Sequence, residues 1–124
     1  MAKDAKNTPT PLSVMLGAGE EFEAKGKIYT VMPIVAAHIE QFQKDNIFIG
    51  ENQLFNFFDE KSKKVMNKWL GGEKVTTKML DKEISTIYCY DENDEPMNLE
   101  KAMADGWDVV DFKRYFRKLC DVSG

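Results

Sequence analysis

The sequence predicts a small α+β domain, helix-rich, with an N-terminal β-hairpin and a C-terminal amphipathic helix. Three observations predict it. A turn at Lys25-Gly26 separates two short runs, Glu20 to Ala24 and Lys27 to Met32; Ile28, Thr30 and Met32 share one face, Tyr29 and Val31 the other. The closing stretch, WDVVDFKRYFRKLCDVSG, carries an apolar stripe through Val109, Phe112, Phe116, Leu119 and Cys120 at helical spacing. Between these ends, Asp59 and Asn98 stand where side-chain caps belong, and Gly71-Gly72 stands where a helix stops.

A length of 124 residues fits one globular domain over residues 20–124, preceded by a polar, proline-bearing flexible arm over residues 1–19. Leu12 to Leu16 is a short apolar patch within that arm, closed by Gly17-Ala18-Gly19. The net charge of −4 argues against general binding to phosphate backbones, which needs a basic excess. Cys89 and Cys120 have no metal-like spacing and read as free, buried thiols of a reducing compartment. The first residues lack the apolar core of a secretion signal, and no apolar run is long enough to span a bilayer. A cytoplasmic protein without membrane association is therefore expected.

After the hairpin, Pro33 ends the pairing because it has no N–H to donate. Val35 to Lys44 reads as a helix with Val35, Ile39 and Phe42 on one side, ended by Asp45-Asn46, and Ile47-Phe48-Ile49 as a brief extended run. The phenylalanine-dense stretch Leu54, Phe55, Phe57 and Phe58 points to the centre of the core. Asp59 caps a helix from Glu60 to Leu70 with Ser62, Val65 and Trp69 inward. Thr76 or Thr77 is placed as the cap of a short helix through Lys82. Ile84 to Tyr90 is β-branched and aromatic, hence one strand. Asp91 to Asp94 is a turn, Pro96-Met97 a returning edge, and Leu99 to Ala104 a short helix capped by Asn98 and ended by Asp105-Gly106.

The last helix, from about Asp108 to Asp121, has Asp108 as its cap and Asp111 in its first turn, near the positive end of the dipole. Asp111, Lys113, Arg114, Arg117, Lys118 and Asp121 fall off the apolar stripe. The stripe reads first as core, with a docking surface for another chain as the sharper alternative.

Catalytic chemistry finds little purchase. The single histidine, His38, has no carboxylate or hydroxyl at a helical spacing that would make a relay, so it reads as dispensable. No nucleophile context and no phosphate-binding glycine loop occurs. Asp91, Glu92, Asp94 and Glu95 lack the glycine and the closing glutamate of a calcium loop and read as a solvated turn. Lys61, Lys63, Lys64 and Lys68 give one helix a basic side, with Trp69 beside it, which reads as a solvated face before a nucleic-acid contact. The expectation is a non-enzymatic protein with no cofactor and no metal, whose assets are its surfaces.

Three stretches carry a family resemblance: FEAKGKIYTVMPI, a hairpin of the form F-x-x-x-G-K-x-Y-x-V-x-P leading into a helix; the middle block NQLFNFFDEKSKKVMNKWL; and GWDVVDFKRYFRKLCDVSG, a Trp-Asp opening, a D-h-K-x-h-h-R-K-h helix and a closing Ser-Gly. Over Phe22 to Gly124 the chain resembles the small tail assembly chaperones of long-tailed bacteriophages and prophages of Gram-positive bacteria. The acidic turn at Asp91 to Glu95 and the arm before Leu12 have no counterpart in that pattern.

The resemblance implies a non-enzymatic assembly factor that binds the tape measure protein and keeps it soluble in the bacterial host's cytoplasm, and that is absent from the finished virion. It implies the tail tube protein as a second candidate partner, leaves a homo-oligomer open, and argues for no membrane and against nucleic acid. Two other classes stand beside it: a structural component of a phage tail or head-tail connector, and a small nucleic-acid-binding regulator. Under the chaperone reading the docking residues are Tyr115, at the edge of the stripe, with Arg114 and Arg117 flanking it. The hairpin face around Tyr29 and the patch from Leu12 to Leu16 are the alternative surfaces.

Overall fold

A computed structural model describes residues 19–51, 57–71, 75–77, 82–84 and 87–124. In chain order the elements are β1 (Glu20–Ala24), β2 (Lys27–Val31), a 3-10 turn (Ala36–His38), α1 (Ile39–Glu51), α2 (Glu60–Leu70), β3 (Val75–Thr77), β4 (Lys82–Ile84), β5 (Cys89–Tyr90), α3 (Leu99–Ala104) and α4 (Val109–Val122). This is the expected small α+β domain, with the hairpin at its start and the amphipathic helix at its end. Residues 1–18 of the arm, including Leu12 and Leu16, lie outside the described residues, as do Leu54 and Phe55.

β1 and β2 pair antiparallel, with Phe22 opposite Tyr29 and Ala24 opposite Lys27. Both turn residues are left-handed, Lys25 at φ 52° and Gly26 at φ 79°. That backbone matches the right-handed twist of the flanking strands. The Gly26 N–H donates to the Glu23 carboxylate at 2.9 Å, and the Lys25 ammonium reaches Asp108 at 2.8 Å. The period-two pattern sorts the side chains: Phe22, Ala24, Tyr29 and Val31 are buried, and Ile28 on the opposite face is 41% exposed.

β5 pairs antiparallel with the other edge of β2, giving the order β1-β2-β5. The expected single strand from Ile84 to Tyr90 is divided. Ile84 ends β4, which pairs with β3, while Cys89 and Tyr90 join the hairpin. The short helix expected from Thr76 or Thr77 is replaced at its start by β3. The C-terminus of α2 packs against the residues that lead into β5. The Tyr88 N–H donates to the Leu70 carbonyl at 3.2 Å, and a Cβ at Gly71 would stand 3.0 Å from the Ile87 side chain. β-branched residues favour extended backbone at both places, but propensity does not choose the neighbouring strand.

The first helix also differs from expectation. It does not stop at Asp45-Asn46, and Ile47 to Ile49 is helical rather than extended; α1 runs on to Glu51. Asp45 is buried, and its carboxylate accepts from Trp69 Nε1 at 2.8 Å, Lys68 Nζ at 3.1 Å and Gln41 Nε2 at 3.1 Å. A residue that favours turns when its side chain is free is thus occupied by α2. Phe42, Asp45 and Ile49 form the inner face of α1, and Val35 is exposed rather than aligned with Ile39 and Phe42.

α2, α3 and α4 begin where their caps stand. Asp59 accepts from the Ser62 N–H at 2.8 Å, and that backbone bond holds the Asp59 carboxyl below its ordinary value. Asn98 accepts from the Lys101 N–H at 2.8 Å. Asp108 and Asp111 form a reciprocal capping box, with bonds of 2.9 and 3.0 Å. Asp111, expected on an outer face, is buried beneath Lys25 at 3.4 Å and Arg114 at 3.5 Å. The core spans the space between the sheet and the helices. Trp69 packs edge-on against Phe42 and tilted against Tyr88; Phe57 is fully buried, and Phe58 is half-buried against Phe112.

Candidate functional site on the outer face of the last helix

α4 is locked from within. Phe112, Tyr115, Phe116 and Leu119 are all buried, so the helix cannot rotate without opening the core. Phe22 and Trp107 meet it from the hairpin side, with ring centroids 5.5 Å apart. The Ser123 hydroxyl donates to the Leu119 carbonyl at 2.6 Å and accepts from the Ile34 N–H at 2.8 Å, which ties down the far end. A helix held at both ends and along one side presents its other side on a rigid platform.

That outer side carries Val110, Lys113, Arg114 and Arg117, at i, i+3, i+4 and i+7. Val110 is 63% exposed, the most exposed large aliphatic side chain among the described residues. Arg114 lies at the edge of this face. Its guanidinium sits 5.0 Å over the Phe22 ring and donates to the Glu23 carbonyl at 2.9 Å. This bond covers part of the free edge of β1, where an unpaired carbonyl would otherwise invite another strand. Lys113 Nζ is 5.8 Å over the Phe57 ring. The Arg117 side chain is 80% exposed and 3.5 Å from Asp121. Lys118 turns back to Glu20 at 3.1 Å.

Two of the docking residues read from the sequence do not belong to this surface. Tyr115 is 0% exposed, and its hydroxyl donates to the Trp69 carbonyl at 2.6 Å. It is core, not edge: burial pushes its hydroxyl well above the ordinary pKa, so it stays a donor. Tyr29 is also buried. Its hydroxyl donates to Asp105 at 2.7 Å and accepts from Trp107 Nε1 at 3.2 Å. Burial alone would raise the Asp105 carboxyl, but bonds from Tyr29 and Lys27 outweigh it and hold the group below its ordinary value. The network joins the hairpin to the corner between α3 and α4, and both tyrosine rings are buried in the folded chain. Arg114 and Arg117 stand on the surface as expected. Val110 and Lys113 complete the face; Val110 escaped notice because it lies off the apolar stripe, where a valine has no periodic signal.

The remaining chemical candidates are structural. His38 is fully buried, with Nδ1 2.8 Å from the Tyr88 hydroxyl and its ring edge-on to Trp69. It has a hydroxyl partner after all, fifty residues away in sequence, and it is part of the core. In the acidic turn, Asp91 Oδ1 accepts from the Asn93 and Glu95 N–H groups at 2.8 and 3.0 Å. Asp94 is left-handed at φ 62° and buried, so this turn is built rather than merely solvated. On α2, Lys68 is bound to Asp45, Lys61 lies 4.6 Å over Phe48, and Trp69 is too deep to stack on a base. Cys89 and Cys120 are free thiols; burial pushes both up and away from the reactive thiolate.

Clefts are shallow. One of about 390 Å³ opens between α2 and α3 along Lys63, Lys64, Asn67 and Leu99. One of about 170 Å³ lies beside Tyr29, Met97 and Asp105. Among the described residues no group of three His, Cys, Asp or Glu side chains is placed to hold a metal, and no helix is long and apolar enough to cross a membrane. No family model, no curated protein and no solved structure matches the chain.

Proposed function

We propose that the chain is a phage tail assembly chaperone: a non-enzymatic protein of the bacterial host's cytoplasm that binds the tape measure protein and keeps it soluble until the tail tube forms around it. The observation that carries this reading is the way the D-h-K-x-h-h-R-K-h stretch divides in three dimensions. Its apolar letters, Phe112, Tyr115, Phe116 and Leu119, fill the core, while Lys113 and Arg117 stand outside with Val110. A stretch that resembles the family thus contributes both a fold determinant and an exposed face. The hairpin and closing stretches pack on one another through Phe22, Trp107 and Tyr115.

Such a surface suits a helical client. A rigid helix face engages another helix through anchors at i, i+3, i+4 and i+7. Several weakly held copies along one long client give avidity without a tight single contact. Release then needs only a competing tube subunit.

The test is co-expression with a phage tape measure chain as the candidate client. The wild-type chain is expected to move that protein into the soluble fraction, and mass spectrometry of finished particles is expected to find the chaperone missing. A tape measure chain equally insoluble with and without the partner would refute the reading. Recovery of the chain in stoichiometric amounts from finished particles would favour a structural tail or connector component.

A further inference from the structure

We propose that the outer face of α4 seats an amphipathic helix whose apolar stripe is flanked by acidic side chains. The inference takes the client's existence from the chaperone reading, but its chemistry from the surface itself. α4 carries four cations against two carboxylates, in a chain whose net charge is −4. One of those carboxylates, Asp111, is buried in the capping box, and Lys118 turns back to Glu20, so the outer face carries Lys113, Arg114 and Arg117 against Asp121 alone of the helix's carboxylates.

The cations are arranged around an aliphatic contact rather than scattered. Val110 and Arg117 are seven residues apart, about 10 Å along the axis, or two turns. Packed helices approach to about 8–10 Å, so one valine meets one apolar position of the client while Lys113, Arg114 and Arg117 reach carboxylates on either side of it. Arg114 is already placed by Phe22 and the Glu23 carbonyl, and the fork keeps further N–H donors for an incoming acceptor. A side chain ordered before binding loses less freedom on binding. Arg117 pairs with Asp121, one turn along the same helix, and exchanges that exposed pair readily.

The same features disfavour nucleic acid. A duplex presents a charge about every 1.7 Å and rewards many cations, whereas this face has three around a valine on an acidic body. A basic helix is disfavoured by like charge, and a purely apolar one covers the guanidinium groups without offering them further acceptors.

The experiment uses the full chain and designed, fluorescently labelled helices of about 20 residues, long enough to hold helical structure. One carries a leucine stripe flanked by glutamates; its counterpart carries lysines at the same positions. Anisotropy titrations are expected to show the acidic helix binding at least about tenfold more tightly, with the difference shrinking as salt rises. Lys113→Glu with Arg117→Glu is expected to abolish the preference, and Val110→Asp to weaken binding. Melting curves establish that both variants fold. Equal binding of the two helices, unaltered binding by a folded charge-reversed variant, or a labelled DNA duplex bound as tightly as the acidic helix would each overturn the inference. In co-expression, a tape measure chain solubilised by wild type and equally by the folded Lys113→Glu, Arg117→Glu variant would sink the α4 site and leave the chaperone reading standing. A tape measure chain that wild type fails to solubilise would sink that reading, while the titrations decide the surface.

Discussion

Replacing Tyr115 separates a core residue from a docking residue, because the two assignments predict opposite results. Its ring packs against Phe22, Trp107 and Phe116 with centroids 5.8, 5.6 and 6.1 Å away. Its hydroxyl satisfies the Trp69 carbonyl near the C-terminal end of α2. In Tyr115→Phe the ring is kept and a buried carbonyl loses this donor, which costs about 1–3 kcal/mol. In Tyr115→Ala the packing goes as well; aromatic truncations in a core cost about 3–5 kcal/mol through lost transfer and the cavity left behind. Against a total stability of about 5–15 kcal/mol, the alanine variant is close to the limit of folding. Urea titration and thermal melting, both followed by circular dichroism, measure the two variants. Phe is expected to lower the melting temperature by roughly 4–12 °C, at about 4 °C per kcal/mol, and Ala by more. If the urea midpoint of Tyr115→Ala equals that of the wild type, the ring is not core. Tyr115 then returns to the docking surface, and the α4 register described here is wrong.

Two further outcomes follow from the same contacts. Hydrogen bonds from Lys25 and from the Asp111 backbone bring the Asp108 carboxyl down to about 2 from an ordinary 3.8. A carboxyl with a depressed folded pKa contributes stability that is present above the unfolded value and lost as pH falls through the folded one. Melting temperature should therefore drop between about pH 4 and pH 2, and Asp108→Asn, which keeps a capping oxygen, should show a shallower drop; superimposable profiles would remove Asp108 as the cause. His38→Gln should lower stability by about 1–3 kcal/mol, since a buried group bonded to Tyr88 is disturbed, and an unchanged urea midpoint would count against that burial.

What the sequence determined by itself is what rests on neighbours three or four residues apart or on one residue's own backbone. The caps at Asp59, Asn98 and Asp108 act on N–H groups three residues on. Gly26 and Gly71 take positive φ because they carry no Cβ to forbid it. The stripe of α4 is periodic, and the burial of Phe112, Phe116 and Leu119 followed, as did the exposure of Arg114 and Arg117. Tertiary structure alone decided whatever needed a distant partner. Asp45 stays helical because Trp69 and Lys68 occupy its carboxylate. The run from Ile84 to Tyr90 is split because Leu70 captures Tyr88. Lys25 is left-handed beside a glycine with Asp108 at its ammonium. His38 is core because Tyr88 arrives from fifty residues away. Tyr115 and Tyr29 could be read as amphipathic surface residues only while their acceptors, the Trp69 carbonyl and Asp105, were unplaced. A tyrosine's amphipathic ring is equally at home at an interface or in a core that offers its hydroxyl a partner, and periodicity carries no information about where that partner lies.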